Sequence, residues 1–206
     1  MLQDEEAIGN LFIFFIAGHE SSYFQFLLNT HDSAITLSYA LTMLALNPEV
    51  QETLRLEIEQ ICKERAPAYS DLPQLVYAHW VMFETLRMFP IATALPKIPA
   101  SDQLLYGKYL IQAKTTVFID LVNLHYNPNY WGSDVHSFNP SRFDPKNSEE
   151  TKSPSSEGVR QTWCEVKIPV PGTFCSFSDG ARVCLGKSIN EFYFNAKGSD
   201  LHKLRP

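Results

Sequence analysis

Cys184 lies in the stretch FSDGARVCLG, Phe177–Gly186, with Arg182 two residues before it and Gly180 and Gly186 on either side. Glycines permit tight turns around a thiol. A nearby guanidinium lowers a thiol's pKa and favours thiolate, the form that binds metal. Val183, Leu185 and Phe177 are expected to keep water away. The pattern describes a dry thiolate beside a cation suited to an anionic ligand edge, which an iron porphyrin requires. The plainer reading is an inert cysteine buried in a turn.

Two other constellations carry chemistry. Glu84 and Arg87, in ETLR, share one helix face at i,i+3. Trp80, Phe83, Leu86 and Phe89 surround them with apolar bulk, so a buried pair needs a third charge to offset its desolvation. Arg142 in FNPSRF, between two phenylalanines, is the candidate; an exposed ion pair is the bland alternative. In AGHESS, Ala17–Ser22, an apolar helix suddenly shows Gly18, an acid and a hydroxyl. Gly18 permits close approach, and Glu20 with Ser21 could relay protons. A helix C-terminus with its polar residues in solvent explains the same run.

These residues must be held by a helical first half and a strand-and-loop second half. The chain has 206 residues, 45% hydrophobic and 19% charged, which is globular composition. Its net charge of −6 and lack of a basic stripe argue against a nucleic-acid partner. The four cysteines, Cys62, Cys164, Cys175 and Cys184, form no C-x-x-C pair, so neither a zinc site nor a disulfide framework is indicated. The apolar run Ala7–Gly18 falls short of the ~20 residues that span a bilayer, and the acidic start MLQDEE is unlike a signal peptide.

Helices are expected over residues 4–22, Ser33–Leu46 and Glu49–Arg65, with Pro48 at a helix start. Another is expected over Tyr69–Pro90, capped by Ser70 or Asp71. Gln103–Leu124 alternates and breaks at Gly107, which predicts two short strands. Asn127–Cys175 reads as loop, with a polar surface insertion at Lys146–Gln161.

The four motifs together resemble the haem-thiolate monooxygenases of the cytochrome P450 family. FSDGARVCLG matches that family's F-x-x-G-x-R-x-C-x-G loop. ETLR resembles its E-x-x-R helix, FNPSRF its P-x-R-F segment, and AGHESS its A-G-x-E-T-T oxygen-activation helix. LHYNPNYWGSD, Leu124–Asp134, is similar to the family's segment before P-x-R-F. The order and approximate spacing also agree.

The resemblance implies a mainly α fold with a small β component, the C-terminal part of the cytochrome P450 fold, over residues 1–206. It comprises the oxygen-activation helix, the E-x-x-R helix, a short sheet and the cysteine-ligand loop of a microsomal-type, fungal-looking member. It implies haem b with Cys184 as the iron ligand, Arg182 and Lys97 on its propionates, and Phe177 shielding the sulfur. Gly180 and Gly186 would shape the loop, and Ala17 and Gly18 would line the oxygen pocket. Glu20 and Ser21 would deliver protons, while Glu84, Arg87 and Arg142 would form a buried structural network. The implied activity inserts one oxygen atom from O2 into an apolar small molecule, with electrons from NADPH through a reductase partner. The implied location is the cytosolic face of the endoplasmic reticulum membrane, through an N-terminal anchor that this chain is expected to lack.

The chain departs from the family pattern in four respects. Family chains are about twice as long or more, so the N-terminal half is expected to be absent here. Ser21 stands where threonine is usual. Residues 22–32 read as an insertion, and residues 189–206 as a divergent tail, polar where the family has a long apolar helix. Both stretches have the texture of translated non-coding sequence. The alternative function is therefore a catalytically incompetent fragment or pseudoenzyme. A plain helical domain with a structural cysteine loop does not account for four ordered motifs.

Overall fold

A computed structural model describes residues 32–63, 65–146, 166–180, 183–184, 186–187 and 194. Helix α1 spans Asp32–Leu46, and α2 spans Pro48–Cys62. Asn47 separates them, its amide side chain donating to the Met43 carbonyl at 2.7 Å. Pro48 suits the first turn of α2 because that position needs no N–H partner. Leu54, Ile58 and Cys62 recur at helical spacing and form the buried face of α2. Arg55 pairs with Glu52 and Glu59 on its outer face.

The helix expected over Tyr69–Pro90 is shorter. Tyr69–Asp71 is a 3-10 turn, and α3 runs from Val76 to Met88. Pro73 has no N–H to donate, so one helix does not continue through it. Asp71 does not cap α3. Its carboxylate takes the Ala68 N–H at 2.7 Å and both Arg65 guanidinium nitrogens, at 2.6 and 2.8 Å. Those partners hold the Asp71 carboxyl down at about 2. Neither does Ser70 cap it: the residue preceding α3 is Leu75, which makes no side-chain cap. Glu57 of α2 fills that role, accepting the Tyr77 and Ala78 N–H groups at 2.7 and 2.9 Å.

The region Gln103–Leu124 holds three strands rather than two, and a fourth strand, Ala94–Lys97, precedes it. β2, Gln103–Leu105, and β3, Tyr109–Ile111, form an antiparallel hairpin about Gly107, whose φ of +65° favours glycine. β1, Ala94–Lys97, pairs antiparallel with β4, Val117–Asp120, with Ala94 opposite Asp120 and Lys97 opposite Val117. Leu121–His125, expected at the end of a strand, is the short helix α4, capped by the Asp120 carboxylate on the Asn123 N–H. α5, Pro128–Trp131, and a 3-10 turn at Pro140–Phe143 punctuate the loop that follows. The mainly α fold with a small β component is observed.

The core lies between α3 and this loop. Val81, Met82, Phe83 and Leu86 of α3 meet Trp131, Phe138 and Phe143, joined by Leu54 and Ile58 of α2. Phe83, Phe143, Trp131 and Phe174 form an aromatic cluster with ring centroids 5.4–6.3 Å apart. Phe174 enters from the segment leading to Cys184, so the cysteine region is docked on the core of α3. Phe194, within the stretch 189–206, is buried at 3% exposure and joins the same core.

The expected helix over residues 4–22, with Ala17, Gly18, Glu20 and Ser21, lies outside the described residues, as do Leu185, Arg182, nearly all of the 22–32 stretch and the rest of 189–206. Among the described residues no helix is long and apolar enough to cross a membrane.

Candidate haem-thiolate site

Glu84 and Arg87 are both fully buried on α3. Arg87 Nε and Nη2 donate to the two Glu84 oxygens at 2.8 and 2.9 Å, a two-pronged match of planar groups. Arg142 Nε donates to Glu84 Oε1 at 3.4 Å, and the Asn139 N–H reaches the same oxygen at 3.0 Å. Arg142 in turn grips Asp134 through Nη1 and Nη2 at 2.9 and 2.8 Å and the Trp131 carbonyl at 2.5 Å. The Arg142 guanidinium holds the Asp134 carboxyl below its ordinary range. Two guanidiniums thus face one carboxylate, and Asp134 balances the extra charge. Every buried charge has fixed partners, which is what makes burial tolerable.

Arg87 extends this network. Its Nη1 donates to the His125 carbonyl at 2.9 Å, and its guanidinium lies over the Tyr126 and Trp131 rings at 5.5 and 5.6 Å. His125 is fully buried and stacks on Phe174 at 5.4 Å. Neither His125 nor Asp134 stands out individually in the sequence, although both lie in the LHYNPNYWGSD segment.

Cys184 is the exposed thiol among the described cysteines. Cys62 and Cys175 are buried, and burial pushes both of their thiols up. Cys175 donates its S–H to the Gly172 carbonyl at 3.2 Å. The loop bearing Cys184 is pinned by its backbone: the Cys184 N–H donates to the Phe177 carbonyl at 2.8 Å and the Val183 N–H to the Gly180 carbonyl at 3.1 Å. Gly180 has φ +71°, which suits glycine. Gly186 is not in the left-handed region; a Cβ there would meet Cys184 Sγ at 3.8 Å, so glycine leaves that side of the sulfur open.

The dry surround expected of Cys184 is not what the described residues make. Of the described apolar residues around Cys184, Phe177 packs on the core and Val183 stays 41% exposed. Lys97 of β1 reaches the same loop, Nζ donating to Ser178 Oγ at 3.0 Å across 81 positions.

Among the described residues no group of three or more His, Cys, Asp or Glu converges as a metal cage. Cys184, the one exposed thiol among the described cysteines, fits an iron whose other in-plane ligands come from a macrocycle, as in haem. The donor chemistry present therefore suits the group that the sequence motifs imply.

A family model described as Cytochrome P450 matches residues 1–193. The chain belongs to the cytochrome P450 family. It is 33% identical over 199 residues to cytochrome P450 monooxygenase 124 of Postia placenta (strain ATCC 44394 / Madison 698-R), a match covering 92% of this chain and 32% of that protein. It is 31% identical to mouse cytochrome P450 3A13 over 186 residues, 90% of this chain and 31% of that protein. The putative cytochrome P450 CYP13A8 of Caenorhabditis elegans is also 31% identical, over 90% of this chain and 30% of its own length. This P450 chain spans about a third of each of these relatives.

Proposed function

We propose that this chain is the cysteine-bearing portion of a P450 monooxygenase, with Cys184 as the thiolate ligand of haem iron. One observation carries the reading. An exposed, unbridged thiol stands on a loop docked against a buried Glu84–Arg87–Arg142 network. Bound there, haem supplies the oxygen-activating redox chemistry; thiolate ligation favours O–O cleavage. The chain's residues position and tune it. The Phe177 carbonyl fixes the Cys184 backbone. Gly180 and Gly186 shape the loop and keep the thiol accessible. Lys97 and Arg182 supply cations for the propionate edge. Glu20 and Ser21 carry protons inward, and Ala17 and Gly18 border the oxygen pocket.

The reaction class is insertion of one oxygen atom from O2 into an apolar organic substrate. Electrons come from NADPH through a reductase. By the family resemblance, the protein is placed on the cytosolic face of the endoplasmic reticulum membrane.

The test is the absorption spectrum of the chain with haemin, reduced and exposed to carbon monoxide. The red-shifted Soret band of a thiolate-ligated ferrous–CO haem, absent in Cys184→Ala, is the expected result. Identical spectra for the two proteins, without that band, would assign the chain to the incompetent-fragment alternative.

A further inference from the structure

His125 is fully buried, yet neither the P450 motifs nor the ion network requires an imidazole there. Its two ring nitrogens face different parts of the chain. Nδ1 lies 3.2 Å from the Arg87 carbonyl, which can only accept. Nε2 lies 3.4 Å from the Cys175 backbone nitrogen, which can only donate. These partners leave one consistent assignment, a neutral ring protonated at Nδ1 and bare at Nε2. Arg87 answers through its side chain, Nη1 donating to the His125 carbonyl at 2.9 Å. α3 and α4 are thus tied by a reciprocal pair of bonds across 38 positions.

The other face of the ring serves the cysteine segment. It stacks on Phe174 with planes 18° apart and takes the next N–H, that of Cys175. Two residues later, the Phe177 carbonyl receives the Cys184 N–H. Ser176 Oγ adds a bond to the Leu86 carbonyl at 3.3 Å, beside Arg87. The thiol loop contains little regular structure, so its placement depends on such contacts.

We propose that His125 is a positioning residue that fixes the Cys175–Cys184 segment to α3 by holding the Cys175 amide on Nε2 and the Arg87 carbonyl on Nδ1. What Cys184 does once placed rests on the haem-thiolate reading; the placement itself does not. The charged or titratable groups around the ring are Arg87, with Glu84 behind it, on α3, Tyr126 next in sequence, and Cys175 on the docked segment. Protonation of the ring would remove the acceptor for Cys175 and set a second cation against Arg87.

The test uses the 206-residue chain. In the unsubstituted protein, imidazole nitrogen NMR shifts at neutral pH should show Nδ1 protonated and Nε2 bare; the opposite tautomer would overturn the proposal. Three variants divide the ring's contacts. His125→Gln keeps an acceptor near the Nε2 position, His125→Asn keeps only a donor near Nδ1, and His125→Phe keeps only the stack. Amide exchange at Cys175 should stay near the parent rate in the Gln variant. It should accelerate about tenfold in the Asn and Phe variants, as expected when a buried N–H loses its acceptor. Parent-like protection in the Phe variant would sink the proposal. The ferrous–CO spectrum is read separately: if the exchange pattern holds while even the parent lacks the thiolate band, the positioning role stands and the haem reading fails.

Discussion

The Glu57 carboxylate of α2 sits 2.7 Å from the Tyr77 N–H and 2.9 Å from that of Ala78, at the start of α3. The helix that carries Glu84 and Arg87 therefore begins on an acid twenty residues upstream, not on a local cap. Orphan N–H groups of a first turn need acceptors, and a negative charge also complements the helix dipole. Burial pushes the Glu57 carboxyl up, opposed by those same backbone bonds.

Glu57→Ala should therefore destabilise the chain by ~1–2 kcal/mol, the usual worth of a lost N-cap. Glu57→Gln keeps one oxygen acceptor and avoids burying a charge, so it should cost less than the alanine change. Chemical denaturation midpoints at neutral pH give the order directly. An alanine variant as stable as the parent would contradict the capping role.

Arg87→Ala leaves the Glu84 carboxylate buried with only Arg142 and the Asn139 amide. Removing one partner of a buried pair costs ~3–5 kcal/mol, enough to unfold most small domains. Arg87→Lys keeps the charge but loses the planar fork that engages both Glu84 oxygens and the His125 carbonyl, so it should fall between parent and alanine variant. Thermal unfolding by circular dichroism checks this ranking.

The E-x-x-R pair was legible in sequence because helical spacing alone puts Glu84 and Arg87 on one face. Arg142 followed from its resemblance to a motif and from the need for a third charge. Glu57 and His125 were not legible. Their partners lie twenty, thirty-eight and fifty positions away, and periodicity carries no information about such pairings. β1 was also hidden. Ala94–Lys97 is four residues long, contains Pro96, and becomes a strand only because β4 lies beside it. The 3-10 turn at Tyr69–Asp71 was obscured because an Asp before an apolar run is the ordinary signature of a helix cap. Here Arg65 captures that carboxylate instead.

Acid should weaken the fold through His125. Burial, with the Arg87 charge as a lesser contribution, pushes this imidazole down from 6.5 to about 4. The unfolded chain takes up the proton first as pH falls, so stability drops between about pH 6.5 and pH 4 and levels below. The contribution is on the order of 3 kcal/mol for a shift of this size. Denaturation midpoints measured across that window should slope in the parent and be flatter in His125→Phe. Equal slopes would place the acid sensitivity elsewhere.

Gly132 closes α5 with φ +86°, and a Cβ built there would lie 3.2 Å from Asp134 Oδ1. Gly132→Ala should cost ~1–2 kcal/mol from backbone strain alone. It should also press on the carboxylate that grips Arg142. A loss larger in the parent than in an Asp134→Ala background, measured by a double-mutant cycle, would show the second effect.

The contacts that dock the thiol loop span long stretches of the chain: Ser176 to Leu86 spans 90 positions, Lys97 to Ser178 spans 81, and Cys175 to His125 spans 50. Each needs its partner element in place before it can form, and none is rewarded by neighbouring regular structure. Loop closure over such distances delays formation of these contacts. Cys184 thus reaches its position only after α3, the strands and α4 have assembled, so its arrival marks the completion of folding.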